Sequence, residues 1–354
     1  MNGSWQYRAL GRTGMTVSPY ALGTMMFGAV GNPDHDECVR IVHAALDHGI
    51  NFVDTADMYS TGESEIIVGK ALQGRRDDII LATKGHFALG EEGPNRSGNS
   101  RRYLTQAVEA SLDRIGTDYI DLYQVHRPDW TTDIEETLGV LSDLVRAGKI
   151  RAFGMSSYPA HEIVELHRVA ELRGLMRPRT EQPPYNLLAR GIERDLLAVT
   201  KRWGMGVLTW SPLAFGFLTG KHRKGVQPPT DGRVALRPQW FDPEDPVAAR
   251  KFDVVEDLAQ LADDLGCTLP ELAMAFPLVH PAVTSVIIGP RTLQQLESSL
   301  AGAALELDDA ALDRIDEIVP PGTNIYEPNA PFDAPWLAEP ETLRRSITER
   351  TAAS

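Results

Sequence analysis

With 354 residues, 42% of them hydrophobic and 24% charged, the chain is long enough for a large core. Its formal net charge of −14 argues against the basic face that nucleic-acid binding needs. The two cysteines, Cys38 and Cys267, lack CxxC or Cys/His spacing, which argues against a metal site and a disulfide framework. The first residues have no apolar leader core, and no run approaches the roughly 20 apolar residues of a membrane span. The expected location is therefore cytoplasmic, with no membrane partner.

In chain order, Tyr7–Leu10, Gly11-Arg-Thr-Gly14 and Thr16–Ser18 read as a small β-hairpin. Short apolar runs then predict eight strands: Tyr20–Gly23, Ile50–Asp54, Ile79–Lys84, Ile120–Val125, Ile150–Gly154, Thr180–Gln182, Gly206–Trp210 and Ser285–Ile288. Amphipathic stretches lie between them. Asp34 is a candidate cap of the first and Gly49 its end. Leu104, Ala107, Val108, Leu112 and Ile115 recur at helical spacing before Gly116, and Ile134, Leu138, Leu141 and Val145 do so before Gly148. Residues 219–246 form a long Pro-, Gly- and charge-rich loop, and loops this long are functional or disordered.

Strands alternating with helices fit a doubly wound sheet or a (β/α)8 TIM barrel. The count of eight favours the barrel, as does the lack of any Gly-x-Gly-x-x-Gly. The expected fold is α/β: a (β/α)8 TIM barrel over residues 1–318, with the N-terminal β-hairpin as a plug. Residues 319–354, with six prolines, are expected as an extended C-terminal tail, packed on the barrel or partly disordered.

In such a barrel the C-terminal strand ends carry the active site. Asp54, Lys84 and His126 fall at three successive strand ends, and Tyr59 follows Asp54 by five residues. Ser156, Gln182, Trp210, Ser211 and Gly289 close later strands. A free phenol titrates near 10, and a nearby ammonium lowers that value. Asp54 would hold Lys84, His126 would hydrogen-bond a substrate oxygen, and Tyr59 would donate its proton to a carbonyl. The chain carries no redox group of its own, so a nicotinamide would have to supply the hydride. Singly, each residue reads more simply as a cap, a structural hydrogen-bonder or a structural ion pair; their joint placement supports the catalytic reading.

Eight ordered segments carry a resemblance over roughly residues 7–318. They are Leu22-Gly-Thr-Met25, Phe52-Val-Asp-Thr-Ala-Asp-Met-Tyr59, Ala82-Thr-Lys84, Gln124-Val-His126, Gly148-Lys-Ile-Arg-Ala-Phe-Gly-Met-Ser156, Gln182-Pro-Pro-Tyr-Asn186, Trp210-Ser-Pro-Leu213 and Ile288-Gly-Pro-Arg-Thr292. This ordered set resembles the aldo-keto reductase superfamily, in particular the bacterial branch related to potassium-channel β subunits. The resemblance implies a catalytic tetrad of Tyr59, Lys84, Asp54 and His126, and an NADPH cofactor bound without a Rossmann domain. It implies that Thr24, Met25, Ser156, Ser157 and Gln182 meet the nicotinamide end, with Trp210 stacked on the ring. Ser211, Pro212, Leu213, Gly216, Lys221 and Arg233 would follow the pyrophosphate, and Gly289, Arg291, Gln295, Ser298 and Ser299 the adenosine end. A planar guanidinium at Arg291 suits a 2′-phosphate and so favours NADPH over NADH. Arg223 and Lys224 read as a solvated loop. Two departures stand out: family members often have Asn at the positions of Ser157 and Ser299, and serine reaches less far.

Phe27, Met58, Phe87 and Trp130, with Trp240, are candidates for the wall of an apolar substrate pocket. The expected activity is NADP-dependent reduction of an aldehyde or ketone to an alcohol, on a small-molecule carbonyl substrate. Alternatives are a deoxysugar-intermediate reductase, an NADPH-binding regulatory or partner subunit, and a Schiff-base aldolase using Lys84. Neither substrate nor oligomeric state is legible in the sequence.

Overall fold

In the computed structural model, which describes residues 5–226, 238–242, 244–325 and 343–344, all eight expected strands form. They are β1 (Tyr20–Gly23), β2 (Phe52–Asp54), β3 (Ile80–Gly85), β4 (Ile120–Val125), β5 (Ile150–Ser156), β6 (Thr180–Gln182), β7 (Gly206–Thr209) and β8 (Val283–Ile288). All pair in parallel and in sequence order. The barrel closes where β8 meets β1, with Val286 opposite Tyr20 and Ile288 opposite Leu22. The doubly wound alternative is thereby excluded.

Helices return the chain between strands: α1 (His35–Asp47), α2 (Glu63–Ala71), α3 (Arg101–Ile115), α4 (Ile134–Arg146), α5 (Ala160–Arg173), α6 (Leu196–Trp203), α7 (Pro246–Asp264), α8 (Leu269–Val279), α9 (Leu293–Ala301) and α10 (Asp309–Ile318). Their ends follow local chemistry. The Asp34 carboxylate accepts from the backbone N–H of Asp36 and Glu37 and starts α1, and left-handed Gly116 ends α3. Two helices, α7 and α8, stand between β7 and β8, a pairing the sequence reading did not resolve. The capping box of Thr268 and Glu271 starts the second.

Side chains alternate along each strand, so the two faces build two cores. The larger lies between strands and helices, and includes Val53, Leu81, Tyr123, Phe153, Ile67, Leu104, Leu141 and Leu258. The smaller fills the barrel with Ala21, Phe52, Ala82, Leu122, Ala152, Leu208 and Ile287. Leu10 and Val17 join this inner core from the hairpin formed by Arg8–Ala9 and Thr16–Val17. The hairpin therefore plugs the lower mouth. Gly11 makes the close approach possible: it has φ 55, and a Cβ there would meet the Gly206 nitrogen at 2.6 Å and the Arg179 oxygen at 2.8 Å.

Part of the long loop is anchored. Pro238–Phe241 form a 3-10 turn, the Phe241 ring stacks on Phe217 at 4.5 Å, and Lys251 Nζ donates to the Trp240 carbonyl at 2.6 Å. Residues 227–237 lie outside the described residues. So does most of the expected tail, 326–342 and 345–354. The beginning of the tail is packed: Ile325 N–H donates to the Leu188 carbonyl at 2.9 Å, and Arg190 N–H to Thr323 at 2.8 Å.

Candidate active site

Moving two residues along each strand from the inner core keeps the same inward face. Phe52 leads to Asp54, Ala82 to Lys84, Leu122 to Gln124 and Leu208 to Trp210. The barrel interior thus changes from an apolar layer to a polar one as it approaches the upper mouth. Strand register aligns that layer: Lys84 lies opposite Gln124, and Ser156 opposite Gln182.

Lys84 is completely buried, and its Nζ is held at 2.5 Å from Asp54 Oδ1 and 2.9 Å from the Thr55 carbonyl. It also donates to Tyr59 OH at 3.3 Å. The second Asp54 oxygen, Oδ2, accepts from Gln124 Nε2 at 3.1 Å and from Gln182 Nε2 at 2.8 Å. Asp54 is thereby saturated and fixed, and it fixes Lys84. The imidazole of His126 stands edge-on to the Tyr59 ring, with 6.0 Å between centroids and 81° between planes. Phe87 also packs edge-on against that imidazole, at 5.2 Å.

Burial and charge set the proton affinities. Burial raises the Tyr59 pKa above its ordinary value, with Lys84 pulling the other way. This corrects the expectation of a lowered phenol pKa, because desolvation of the phenolate outweighs the ammonium. Burial pulls Lys84 down, but Asp54 and Tyr59 more than offset it, so the ammonium is retained. Burial, then Lys84 and Arg127, hold His126 well below its usual value and keep it neutral. The arrangement is a protonated phenol between an ammonium and a neutral imidazole.

The other candidate residues divide. Thr24 is fully buried, and its hydroxyl shares a hydrogen bond with Ser64 Oγ at 2.8 Å. Met25 is half-buried beside it. Ser156 Oγ donates to the Gln182 carbonyl at 3.0 Å, as does Trp210 Nε1 at 3.1 Å. Ser157 has φ 60, and its Oγ is buried without a partner among the described residues. Ser211, Ala214, Phe215 and Gly216 all have positive φ, while Leu213 is right-handed (φ −90, ψ 17). A right-handed residue followed by a left-handed one turns successive N–H groups to one side, as anion-binding concavities do. Pro212 is buried just before this bend.

Lys221 is exposed and Arg291 half-buried, and neither is in an ion pair among the described residues. Arg223 and Lys224 are closed by Glu256 and Asp253. Arg233 lies outside the described residues. Gly289 and Ser298 are exposed, and a Cβ at Gly289 would meet nothing within 4 Å. At the start of α9, Arg291 N–H is taken by Gln295 Oε1 at 2.8 Å, and Ser299 Oγ is turned back onto the Gln295 carbonyl at 2.9 Å.

Of the pocket candidates, Met58 and Trp130 are 39% and 43% exposed, and Phe87 reaches the site through His126. Phe27 is 0% exposed and belongs to the larger core, which removes it from the pocket wall. Trp240 packs on Phe215 at 5.0 Å, and Phe215 on Trp210 at 5.9 Å, forming an aromatic row beside the mouth. The sequence reading assigned no role to Gln124 or Arg127. The period-two step from His126 to Gln124 was the signal for the first; nothing local distinguished the second.

Comparisons with known proteins agree with this architecture. The sequence model described as Aldo/keto reductase family matches residues 20–320. A probable voltage-gated potassium channel subunit beta of Arabidopsis thaliana is 36% identical over 324 residues, covering 89% of this chain and 96% of that protein. A putative voltage-gated potassium channel subunit beta of Schizosaccharomyces pombe is 34% identical, covering 88% and 93%. The uncharacterized oxidoreductase YrpG of Bacillus subtilis is 37% identical, covering 89% and 96%. The chain belongs to the aldo/keto reductase family, and is on that ground an oxidoreductase. Among the described residues no helix is long and apolar enough to cross a membrane, and no cluster of His, Cys, Asp or Glu could hold a metal ion.

Proposed function

We propose that this protein is an NADPH-dependent reductase that converts an aldehyde or ketone to an alcohol, with Tyr59 as general acid. The observation that carries this reading is the Lys84 ammonium, buried between Asp54 at 2.5 Å and the Tyr59 hydroxyl at 3.3 Å. A buried phenol that stays protonated is a proton donor, and its conjugate base forms beside a fixed positive charge. Neutral His126 does not compete as a base, and it has ring nitrogen available to hydrogen-bond a carbonyl oxygen.

Several features fit a dinucleotide. The Leu213–Gly216 bend and Lys221 suit a pyrophosphate, Arg291 a 2′-phosphate, and the unpartnered Ser157 hydroxyl a carboxamide. Bound there, NADPH would supply the hydride. The residues of the chain would orient the carbonyl, exclude water and deliver the proton from Tyr59.

The test is NADPH oxidation with 4-nitrobenzaldehyde in wild type and Tyr59→Phe. Turnover should fall by at least ~100-fold, the lower range for loss of a general acid, while NADPH binding is retained. Near-normal turnover in the variant would remove Tyr59 from the role. A second reading, a partner subunit, is favoured by the printed names of two of the relatives above. It predicts tight NADPH binding with no turnover of any aldehyde in the wild type.

A further inference from the structure

Arg127 follows His126 directly, at the rim of the upper mouth. Its Nη1 donates to the His126 carbonyl at 2.7 Å. A guanidinium carries five N–H donors, so one carbonyl leaves most of them unanswered. Among the described residues Arg127 forms no ion pair. Three other covered arginines are closed by carboxylates, Arg76 by Asp121 at 2.8 Å, Arg114 by Glu65 at 2.7 Å, and Arg190 by Glu193 at 2.8 Å and Asp316 at 2.7 Å, whereas Arg8, far from the upper mouth, bonds among the described residues only to the Val283 and Leu278 carbonyls.

The acids near Arg127 do not neutralise it. Asp54 is committed to Lys84 and two amides. Asp129 accepts from Thr131, Thr132 and the Asn99 N–H. Glu181 gives one oxygen to the Tyr158 N–H, and its other oxygen has no partner. Burial pushes the Glu181 carboxyl up to about 8, so it is largely uncharged at neutral pH. Burial holds Arg127 itself below its usual value, with Tyr59 and Glu181 pulling the other way, and its charge is felt at Tyr59, His126 and His86 as well as at Glu181.

We infer that Arg127 is an anion-recognising residue of the substrate pocket, and that the carbonyl substrates of this site carry an oxyanion, a carboxylate or a phosphate. The inference rests on the reductase reading above. A planar fork of donors anchored on the His126 carbonyl would bind two oxygens of such a group and fix the carbonyl relative to His126 and Tyr59. Arg127 is a specificity residue in this scheme, and the proton still comes from Tyr59.

The experiment compares 4-carboxybenzaldehyde, 4-formylphenyl phosphate and uncharged 4-methylbenzaldehyde in wild type, Arg127→Gln and Arg127→Lys. The quantity read is kcat/KM for each anionic aldehyde divided by that for the neutral one. The ratio cancels any effect of Arg127 on Tyr59 or His126 that all substrates share. At least one anionic aldehyde should be preferred by ~10-fold or more in wild type, with the ratio falling ~10-fold in Arg127→Gln and partly restored in Arg127→Lys. The better of the two anions separates carboxylate from phosphate. A wild-type ratio near one, or a ratio unchanged in Arg127→Gln, overturns the inference while leaving the reductase reading intact. Absence of all turnover sinks the reductase reading instead. The inference is then judged by calorimetry of 4-carboxybenzaldehyde and 4-formylphenyl phosphate on the NADP+-loaded protein, where Kd values equal in wild type and Arg127→Gln overturn it.

Discussion

Replacing Lys84 by Met tests the central electrostatic argument. The change removes a positive charge 3.3 Å from the Tyr59 oxygen and leaves the shape of the side chain nearly intact. At an effective dielectric of ~20, a full unit charge at that distance is worth about 5 kcal/mol to a tyrosinate. If the phenol has transferred roughly half its proton in the transition state, about half of that, ~2.5 kcal/mol, is felt in the barrier, or ~70-fold in rate. Lys84→Met should therefore lower kcat by about 50-fold or more, up to ~5,000-fold if transfer is complete. The same substitution leaves Asp54 buried and short of one partner, so some loss of stability accompanies it. Gln124 and Gln182 still donate to the remaining oxygen, which limits that loss. The assay is single-turnover NADPH oxidation, with NADPH titration and thermal melting confirming a folded, cofactor-binding variant. A folded Lys84→Met protein within ~5-fold of wild type would refute the claim that the ammonium supports the acid.

Asp57 gives a pH prediction. Burial, with the nearby Glu65 charge, pushes its carboxyl up to about 8, and both oxygens lack a partner among the described residues. A carboxyl raised in the folded state keeps its proton there while the unfolded chain loses it near 4. Stability is therefore full below that pH and declines as pH rises towards 8, by at most ~1.4 kcal/mol per unit. Asp57→Asn should flatten the decline in Tm between pH 6 and 9, and parallel Tm curves would count against the assignment. Arg291→Ala should weaken NADPH at least ~10-fold more than NADH in fluorescence titrations; an equal loss for both would mean that Arg291 does not read the 2′-phosphate. Gly69 sits where α2 crosses α3, and a Cβ there would meet the Ile115 carbonyl oxygen at 2.2 Å. Gly69→Ala should cost about 1–3 kcal/mol in denaturant unfolding despite alanine's better helix propensity, and a neutral or stabilising result would show that the two helices separate easily.

The sequence by itself determined the strands, a few helix ends and the identity of the reactive groups. These are local properties: Ile120–Val125 is a strand because a short apolar run lies between turn signals, and Asp34 caps α1 because it precedes its own acceptor-poor N–H groups. The strand reading also placed Asp54 and Lys84 at the ends of successive strands, and hence at the mouth expected of a barrel. Tertiary structure decided what those groups do to one another. The amides that saturate Asp54 come from residues 70 and 128 positions away in the chain. The direction of the Tyr59 shift depends on how deeply the barrel mouth buries the phenol, which no spacing encodes. The lack of an ion pair at Arg127 among the described residues follows from which carboxylates around the mouth are engaged elsewhere or kept protonated by burial, and Phe27 left the pocket because core packing claimed it. The beginning of the proline-rich tail became ordered through backbone hydrogen bonds to residues 188–190, a pairing between segments that share no local signal. Local sequence sets what each residue can offer, and burial and long-range register set the charge, partners and exposure with which it acts.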